Sequence, residues 1–141
     1  MGEARDVMDR LTEAVTHGDL TTVTELYAED AVAFTPDEGE LHGRDAIVEY
    51  WRTMTEAIPD ATFTPLQQYE ADDTAIDEGV FSGVNTGPIP LPDGETLPAT
   101  GRKISIRGTD LATVKDGRIT SYRLYFDQML FLDQLGLLPQ D

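Results

Sequence analysis

The hydrophobic period of this 141-residue chain changes at Pro59, and that change limits the possible folds more than any other feature. Before Pro59, apolar residues recur at intervals of three and four, which predicts amphipathic helices. After Pro59, nearly everything up to Phe126 alternates as strands do. Helices that come first and long strands that follow indicate an α+β fold, in which helices pack on one face of an antiparallel sheet.

The segment before Pro59 predicts three helices. The first spans Glu3–Thr16. Asp19 is the expected N-cap of a second, shorter helix, because its carboxylate can accept hydrogen bonds from the free backbone amides. The third helix runs from about Asp45 to Ile58, where proline stops it because proline lacks an amide hydrogen.

The strands are predicted at residues 31–34, 61–71, 74–85, 102–114 and 118–126. The dipeptide Asp116-Gly117, between the last two, strongly favours a tight turn. Residues 86–101 are dense in Pro and Gly and predict a loop of about 15 residues, long enough to form a functional rim. After Phe126 the period changes again, which predicts a short apolar helix closed by Gly136 and Pro139.

The length of the chain predicts one domain over residues 1–141, with a single core. No apolar run approaches the length of a membrane span, and residues 1–19 lack the apolar centre of a signal peptide. These features predict a cytoplasmic protein without a membrane partner.

The formal net charge of -17 argues against a nucleic-acid partner, because the phosphates would be repelled. Only two lysines, Lys103 and Lys115, are present, while Asp, Glu and Thr are abundant. A surface of this kind fits two explanations, which the sequence leaves open. It is either an adaptation to high salt or the surface of an acidic mesophilic protein.

The chain has no cysteine and two histidines, so disulfides, thiolate catalysis and cysteine–metal sites are excluded. Glycine-rich phosphate-binding loops, paired-histidine zinc motifs and the serine nucleophile motif of hydrolases are also missing from the sequence. We therefore expect chemistry that requires neither a cofactor nor a metal.

One carboxylate, Asp127, lies between the last predicted strand and the final helix, with aromatic residues before it and apolar residues after it. This position predicts the mouth of a pocket, where apolar walls would raise the pKa of the carboxylate toward neutrality. The alternative is a structural role, in which Asp127 caps the final helix.

A second group of candidates follows from the hairpin around Asp116-Gly117. If Lys115 and Arg118 flank a two-residue turn, a regular register places Asp110 opposite Arg123, on one face with Asp127. Two carboxylates with a guanidinium between them could hold one acid charged and the other protonated. The alternative is a solvated ion pair between Asp110 and Arg123.

An apolar pocket enclosed by the helices and the sheet would prefer a neutral, hydrophobic small molecule. Its predicted lining residues are Tyr27, Phe34, Trp51, Met54, Phe63, Asn85, Tyr125 and Met129. The outer face of the sheet is predicted to be too apolar for full solvation, which favours a homodimer. The residues assigned to that face are Thr109, Leu111, Thr113, Tyr122 and Leu124.

Five segments, in this order, resemble the SnoaL-like branch of the superfamily that includes nuclear transport factor two, ketosteroid isomerase and limonene epoxide hydrolase. They are DLTTVTELYAEDAVAF, LHGRDAIVEYW, FSGVNTGPI, PATGRKISIRGTDLATVKDGRI and YFDQMLFLDQLGLLP. The resemblance implies a cone-shaped, curved antiparallel sheet around a deep apolar pocket, roofed by three N-terminal helices. It also implies homodimers that form through the sheets.

In the polyketide cyclases of this family, an aspartate acts as acid and base in an intramolecular aldol ring closure, without metal or cofactor. Asp127 matches that aspartate by position, and Asp110 falls where related chains carry Asp or His. The resemblance therefore implies aldol cyclisation or isomerisation of a polyketide-like molecule.

Two other functions remain open at this stage. One is hydrolysis of an epoxide by water that Asp110, Arg123 and Asp127 activate, as in the epoxide hydrolases of the superfamily. The other is a dimer whose pocket binds a hydrophobic molecule without catalysis, because this fold hosts many unrelated sites.

Overall fold

Helices occupy the first part of the chain and strands most of the rest, as the change of period at Pro59 predicts. The structure is a computed structural model that describes residues 2–91 and 94–138. Its helices are α1 (Glu3–Thr16), α2 (Leu20–Leu26), α3 (Arg44–Ala57) and α4 (Gln128–Gln134). Its strands are β1 (Tyr27–Thr35), β2 (Gly39–His42), β3 (Thr62–Ala71), β4 (Thr74–Val84), β5 (Ile89–Pro90), β6 (Thr96–Leu97), β7 (Lys103–Lys115) and β8 (Arg118–Phe126).

The helices form where the sequence predicts them. α1 has the predicted bounds, and its apolar stripe, which includes Met8 and Leu11, is buried. The Asp19 carboxylate accepts a hydrogen bond from the backbone N–H of Thr22 at 3.1 Å and so caps α2. No helix in the described ranges is both long and apolar enough to cross a membrane.

Six strands form one curved sheet in the order β2-β1-β8-β7-β4-β3. Four of its five pairings are antiparallel, but β1 and β8 run parallel, so the prediction of a purely antiparallel sheet is wrong at this pairing. A tight turn forces antiparallel pairing only on strands that are neighbours in the sequence. Because β1 and β8 are far apart in the chain, no turn sets their relative direction.

Short strands also form in two segments where no strand was predicted. Residues 36–42 turn back at Gly39, where φ is 73°, and β2 pairs with β1. β5 and β6 form a small hairpin inside the stretch 86–101. Pro92, Asp93 and Pro139, which belong to the predicted loop and the predicted end of the final helix, lie outside the described residues.

The main core lies between α1–α3 and the inner face of the sheet, and it includes Met8, Trp51 and Tyr122. A smaller apolar cluster of Ala57, Ile58, Ile104 and Leu135 fixes the end of α4 against the sheet. Gln134 strengthens this attachment, because its side chain accepts a hydrogen bond from Ser105 N and donates one to Ser105 O, at 2.7 and 3.0 Å.

The register of the β7–β8 hairpin differs from the regular one that the sequence analysis assumed. Lys115 pairs with Arg118 as predicted, but a bulge at Thr120 shifts the pairing by one residue beyond that point. Asp110 consequently lies opposite Leu124, and Arg123 lies opposite Leu111. Because side chains alternate along a strand, this one-residue shift moves Arg123 to the outer face of the sheet, away from Asp110.

Candidate functional site

Two facing glycines leave space on the inner face of the sheet. Gly79 of β4 pairs with Gly108 of β7, and Gly108 pairs with Phe126 of β8. A side chain at Gly79 would collide with the Phe63 ring, because its Cβ atom would overlap the ring edge. Because glycine has no side chain, aromatic rings such as that of Phe63 can lie against the strands at these positions. A cavity remains between the sheet and the helices.

This cavity, called cavity 1 here, has a volume of about 100 Å³. α1 covers it with Leu11 and Val15, which lie one turn apart, and α3 contributes Trp51 and Met54. Its other lining residues are Thr12, Thr16, Phe63, Phe81, Ile106, Gly108, Thr109, Asp110, Tyr122, Leu124, Phe126 and Phe131. Asp110 is the only carboxylic acid among the described residues that line it.

The two carboxyl oxygens of Asp110 have different surroundings. Oδ2 accepts a hydrogen bond from the Tyr122 hydroxyl at 2.7 Å. Oδ1 is shielded from solvent and has no hydrogen-bond partner within residues 2–91 and 94–138. A buried polar atom without a partner is rare, because leaving it unpaired costs about 1–3 kcal/mol. The hydrogen-bonding capacity of Oδ1 is thus unused, on a residue that lines cavity 1.

Burial raises the pKa of Asp110 from 3.8 to about 7. The hydrogen bond from Tyr122 acts in the opposite direction, the charge of Asp77 raises the pKa, and that of Arg5 lowers it. An acid with this pKa exists in both protonation states near neutral pH. It can therefore remove a proton and also return one.

Tyr122 is itself fixed by aromatic neighbours. Its ring packs edge-on against Tyr27 and Trp51, with ring centroids 6.2 and 5.8 Å away. The Trp51 indole N–H donates to the Tyr27 hydroxyl at 3.1 Å. Burial, together with the nearby charge of Asp110, raises the pKa of Tyr122 well above its usual value. Tyr122 therefore stays protonated and remains a hydrogen-bond donor to Asp110.

A buried ion pair lies beside Asp110 on the next strand. Asp77, the cross-strand partner of Asp110, is 1% exposed, and its Oδ1 lies 2.7 Å from a guanidinium nitrogen of Arg5. Arg5 extends from α1 and also binds Asp9 at 2.8 Å. Neither Arg5 nor Asp77 lines cavity 1, so they influence Asp110 through their charges.

The other two predicted catalytic residues lie outside the cavity. Asp127 is exposed and caps α4, where its carboxylate accepts a hydrogen bond from Leu130 N at 3.0 Å. Arg123 is exposed on the outer face of the sheet. The predicted group of Asp110, Arg123 and Asp127 therefore does not assemble, because the bulge at Thr120 separates the side chains.

The predicted lining residues divide into three groups. Trp51, Met54 and Phe63 line cavity 1. Tyr27 is not part of the lining, but its hydroxyl accepts the hydrogen bond of the Trp51 indole N–H. Asn85 lines a second cavity, which is described below. The remaining three, Phe34, Tyr125 and Met129, line neither cavity. Phe34 packs against Tyr125 on the outer face of the sheet, and Met129 is 63% exposed.

Asn85 is fully engaged in holding the backbone. Its amide nitrogen donates to Ala57 O and Gly87 O at 2.9 and 3.1 Å. Its amide oxygen accepts from the backbone N–H and the hydroxyl of Thr100 at 2.7 and 2.9 Å. These bonds use its hydrogen-bonding capacity, so the predicted role of Asn85 in binding a ligand gives way to a structural one.

Several residues that line cavity 1 were not predicted from the sequence. Leu11 and Val15 were predicted only as part of an amphipathic helix, although their spacing by one turn also suits a cavity roof. Tyr122 and Leu124 were assigned to the outer face, because the bulge at Thr120 leaves no clear mark in the sequence. The glycines at positions 79 and 108 carried the clearest signal, since glycine inside a strand marks a bend or a close approach.

A family model described as a SnoaL-like domain matches residues 8–122 of the chain. No curated protein matches the sequence. IdmH, a candidate polyketide cyclase from Streptomyces antibioticus, is 29% identical, with a TM-score of 0.76 over 96% of this chain and 99% of the other.

Two more distant structures share the fold. A candidate SnoaL-like polyketide cyclase from Jannaschia sp. CCS1 is 15% identical, with a TM-score of 0.83 over 97% of this chain and 94% of the other. An LEH-like epoxide hydrolase from M. tuberculosis is 17% identical, with a TM-score of 0.72 over 94% of this chain and 89% of the other. At these identities the likeness concerns the fold alone.

The family match covers most of the chain, and the solved structures agree with it. The chain therefore belongs to the SnoaL-like family, and its α+β architecture is the one found in proteins with a ketosteroid isomerase-like fold.

Proposed function

We propose that the protein is a cofactor-independent enzyme in which Asp110 is the general acid and base acting on a hydrophobic, polyketide-like molecule. The observation that carries this proposal is the buried, unpartnered Oδ1 atom of Asp110, the one carboxylic acid among the described residues that line a largely apolar cavity. The similarity to IdmH favours a substrate of polyketide type.

The reaction begins with the carboxylate form of Asp110, which removes a proton from the carbon next to a carbonyl group. For ring closure, the resulting enolate carbon attacks a second carbonyl in the same molecule. The protonated Asp110 then returns the proton to the new alkoxide oxygen. For isomerisation, it returns the proton to a different carbon. Both reactions need one acid that works near neutrality, which the pKa of about 7 supplies.

Epoxide hydrolysis is less well supported by the geometry. Activation of water by an Asp–Arg–Asp group needs two carboxylates at the reacting centre. Among the described residues that line cavity 1, Asp110 is the only carboxylic acid, and the Arg5–Asp77 pair lies outside the lining. One acid that gives and takes a proton fits cyclisation or isomerisation better.

The fluorescence of Trp51 provides a test of binding, since Trp51 is the only tryptophan and lines cavity 1. We expect neutral polycyclic ketones to change its emission in a saturable way and terpenoid epoxides to have less effect. Anionic analogues should bind more weakly, because the net charge of -17 repels them. Unchanged emission with every ketone would contradict the proposal, and a response to epoxides alone would favour the hydrolase.

We further propose that the protein forms a homodimer through the outer face of its sheet. Tyr122 and Leu124, which the sequence analysis placed on that face, belong to the cavity instead. The face still exposes large apolar side chains, since Val32, Tyr69 and Tyr125 are 40%, 55% and 40% exposed. Such a surface commonly packs on its symmetry mate.

Light scattering at micromolar protein and moderate salt is expected to give the mass of a dimer. Tyr125→Glu should shift the population toward monomer, because it places a charge in the apolar contact. Moderate salt matters here, since self-repulsion of so acidic a chain weakens association when screening is low. A wild-type protein that is monomeric under these conditions would contradict the dimer.

A further inference from the structure

A second cavity, called cavity 2 here, lies next to cavity 1 and has a volume of about 170 Å³. Met54 of α3 and Phe131 of α4 line both cavities, so these two side chains form the wall between them. The other residues around cavity 2 are Asp37, Glu38, Tyr50, Thr53, Ala57, Ile58, Asn85, Ile89, Pro90, Leu91 and Leu135.

The volume of cavity 1 limits what can bind beside Asp110. An apolar cavity of about 150 Å³ holds a benzene molecule, and pockets for larger ligands are commonly about 300–1,000 Å³. At about 100 Å³, cavity 1 holds no more than one small ring. A molecule with several rings or a long chain must therefore extend beyond cavity 1.

The wall toward cavity 2 offers a route for this extension. The Met54 side chain is unbranched and flexible, and methionine adapts readily to the shape of a ligand. Phe131 is half-buried on α4, a helix that is attached to the sheet at its far end by Gln134 and Leu135. Met54 and Phe131 are therefore the side chains that would have to rotate for one molecule to occupy both cavities.

We propose that the substrate spans both cavities, with its reacting ring beside Asp110 and a largely apolar extension that passes between Met54 and Phe131 into cavity 2. This inference rests on the proposed function, because it takes the ring beside Asp110 as the reacting part. Met54 and Phe131 are then the residues that determine specificity for the length of the substrate.

The lining of cavity 2 selects the chemistry of the extension. Ile58, Ile89 and Leu91 favour apolar groups. The polar side chains of Asp37 and Glu38 are hydrogen-bond acceptors, and Asp37 is held by the Tyr50 hydroxyl at 3.3 Å. The Asn85 amide is occupied by the backbone and by Thr100. The extension should therefore be apolar along its length and end in a hydrogen-bond donor, such as an amine.

Three probes test this inference by calorimetry at pH 7. Acetophenone represents the ring alone, para-pentylacetophenone adds an apolar chain, and para-(4-aminobutyl)acetophenone replaces the last carbon of that chain by an amine. We expect the pentyl chain to increase affinity at least tenfold over acetophenone, since it buries further apolar area. The amine should increase it again by several-fold.

Variants then locate the extension. Ile89→Trp fills cavity 2 from a residue that does not line cavity 1, so it should remove the gain from either chain and leave acetophenone unaffected. Val15→Phe reduces cavity 1 and should weaken all three probes. Asp37→Asn should abolish the advantage of the amine, whereas Glu40→Gln, which makes the same change of charge at an exposed site, should retain it.

If Ile89→Trp fails to give a cooperative thermal unfolding transition, Leu91→Phe replaces it as the blocking variant. The inference is overturned if a folded blocking variant leaves the gain from the chain intact, or if acetophenone and its pentyl derivative bind equally to the wild type. A gain that is lost in the blocking variant, while Asp110→Asn leaves turnover unchanged, would support the joined cavities and reject the proposed function.

Discussion

Replacing Asp110 with Asn is expected to reduce turnover by about 10²–10⁴-fold, the usual contribution of a general acid or base. The substitution keeps the shape of the side chain and the contact with Tyr122, but it removes the group that accepts and returns the proton. Turnover of a ketone identified by the Trp51 fluorescence measurement provides the assay. Loss of turnover without loss of binding would show that the carboxyl group serves the reaction.

Asp127→Asn is the matched control, because Asp127 caps α4 on the surface and Asn caps helices nearly as well. Turnover of this variant should equal that of the wild type. The opposite result, with activity lost in Asp127→Asn and kept in Asp110→Asn, would move the site to the end of the last strand. If neither variant changed turnover, the reaction would depend on neither carboxylate, and Asp110 would have a structural role.

The same Asp110→Asn variant should be more stable than the wild type above neutral pH. The pKa of Asp110 is about 7 in the folded protein against 3.8 ordinarily, so the folded state holds this proton more tightly than the unfolded state. The wild type therefore loses stability as the pH rises from 3.8 to 7, in total on the order of 4 kcal/mol. Asn does not titrate and escapes this loss.

Urea unfolding at pH 5 and pH 8 measures this difference. The stability advantage of Asp110→Asn should grow from the lower to the higher pH. An advantage that is the same at both values would mean that Asp110 has an ordinary pKa.

The second large effect is expected for Arg5→Met, which should lower the free energy of unfolding by about 3–5 kcal/mol. Arg5 is 6% exposed and neutralises Asp77, which is 1% exposed. Without the guanidinium, the Asp77 carboxylate remains buried with no cation beside it. Urea unfolding at neutral pH measures this loss.

Arg52→Met is the control for Arg5→Met, because Arg52 forms ion pairs with Glu49 and Glu56 on the exposed side of α3. Exposed pairs contribute little, so this control should lose no more than about 1 kcal/mol. The double variant Arg5→Met/Asp77→Asn should recover much of the stability, since it removes the unpaired charge. Equal losses for Arg5→Met and Arg52→Met would contradict a buried, charge-compensated pair.

The sequence predicted most of the fold because local patterns determine local structure. The bounds of α1 were predicted without error, and the tight turn at Asp116-Gly117 forms with positive φ at both residues. The parallel pairing of β1 with β8 could not be predicted in this way. It depends on where two strands meet after about ninety residues of intervening chain.

The candidate site was predicted only in part, because it depends on one residue of register. Asp110 was identified as a candidate, but the bulge at Thr120 shifts the register of β8 by one residue. Tyr122 and Leu124 therefore lie on the same face as Asp110, where Arg123 was predicted. The Arg5–Asp77 pair is a contact between a helix and a distant strand. Sequence periodicity identifies the buried face of each element but not which charges meet between them.

The most direct test of this account is the titration of the Asp110 carboxyl group by ¹³C NMR. The protein is labelled at its aspartate side chains, and the Asp110 signal is identified by its absence in Asp110→Asn. We predict a midpoint near pH 7, because the carboxyl group is buried in the apolar cavity. A midpoint near 4, the ordinary value for an exposed aspartate, would contradict its role as the acid and base of this site.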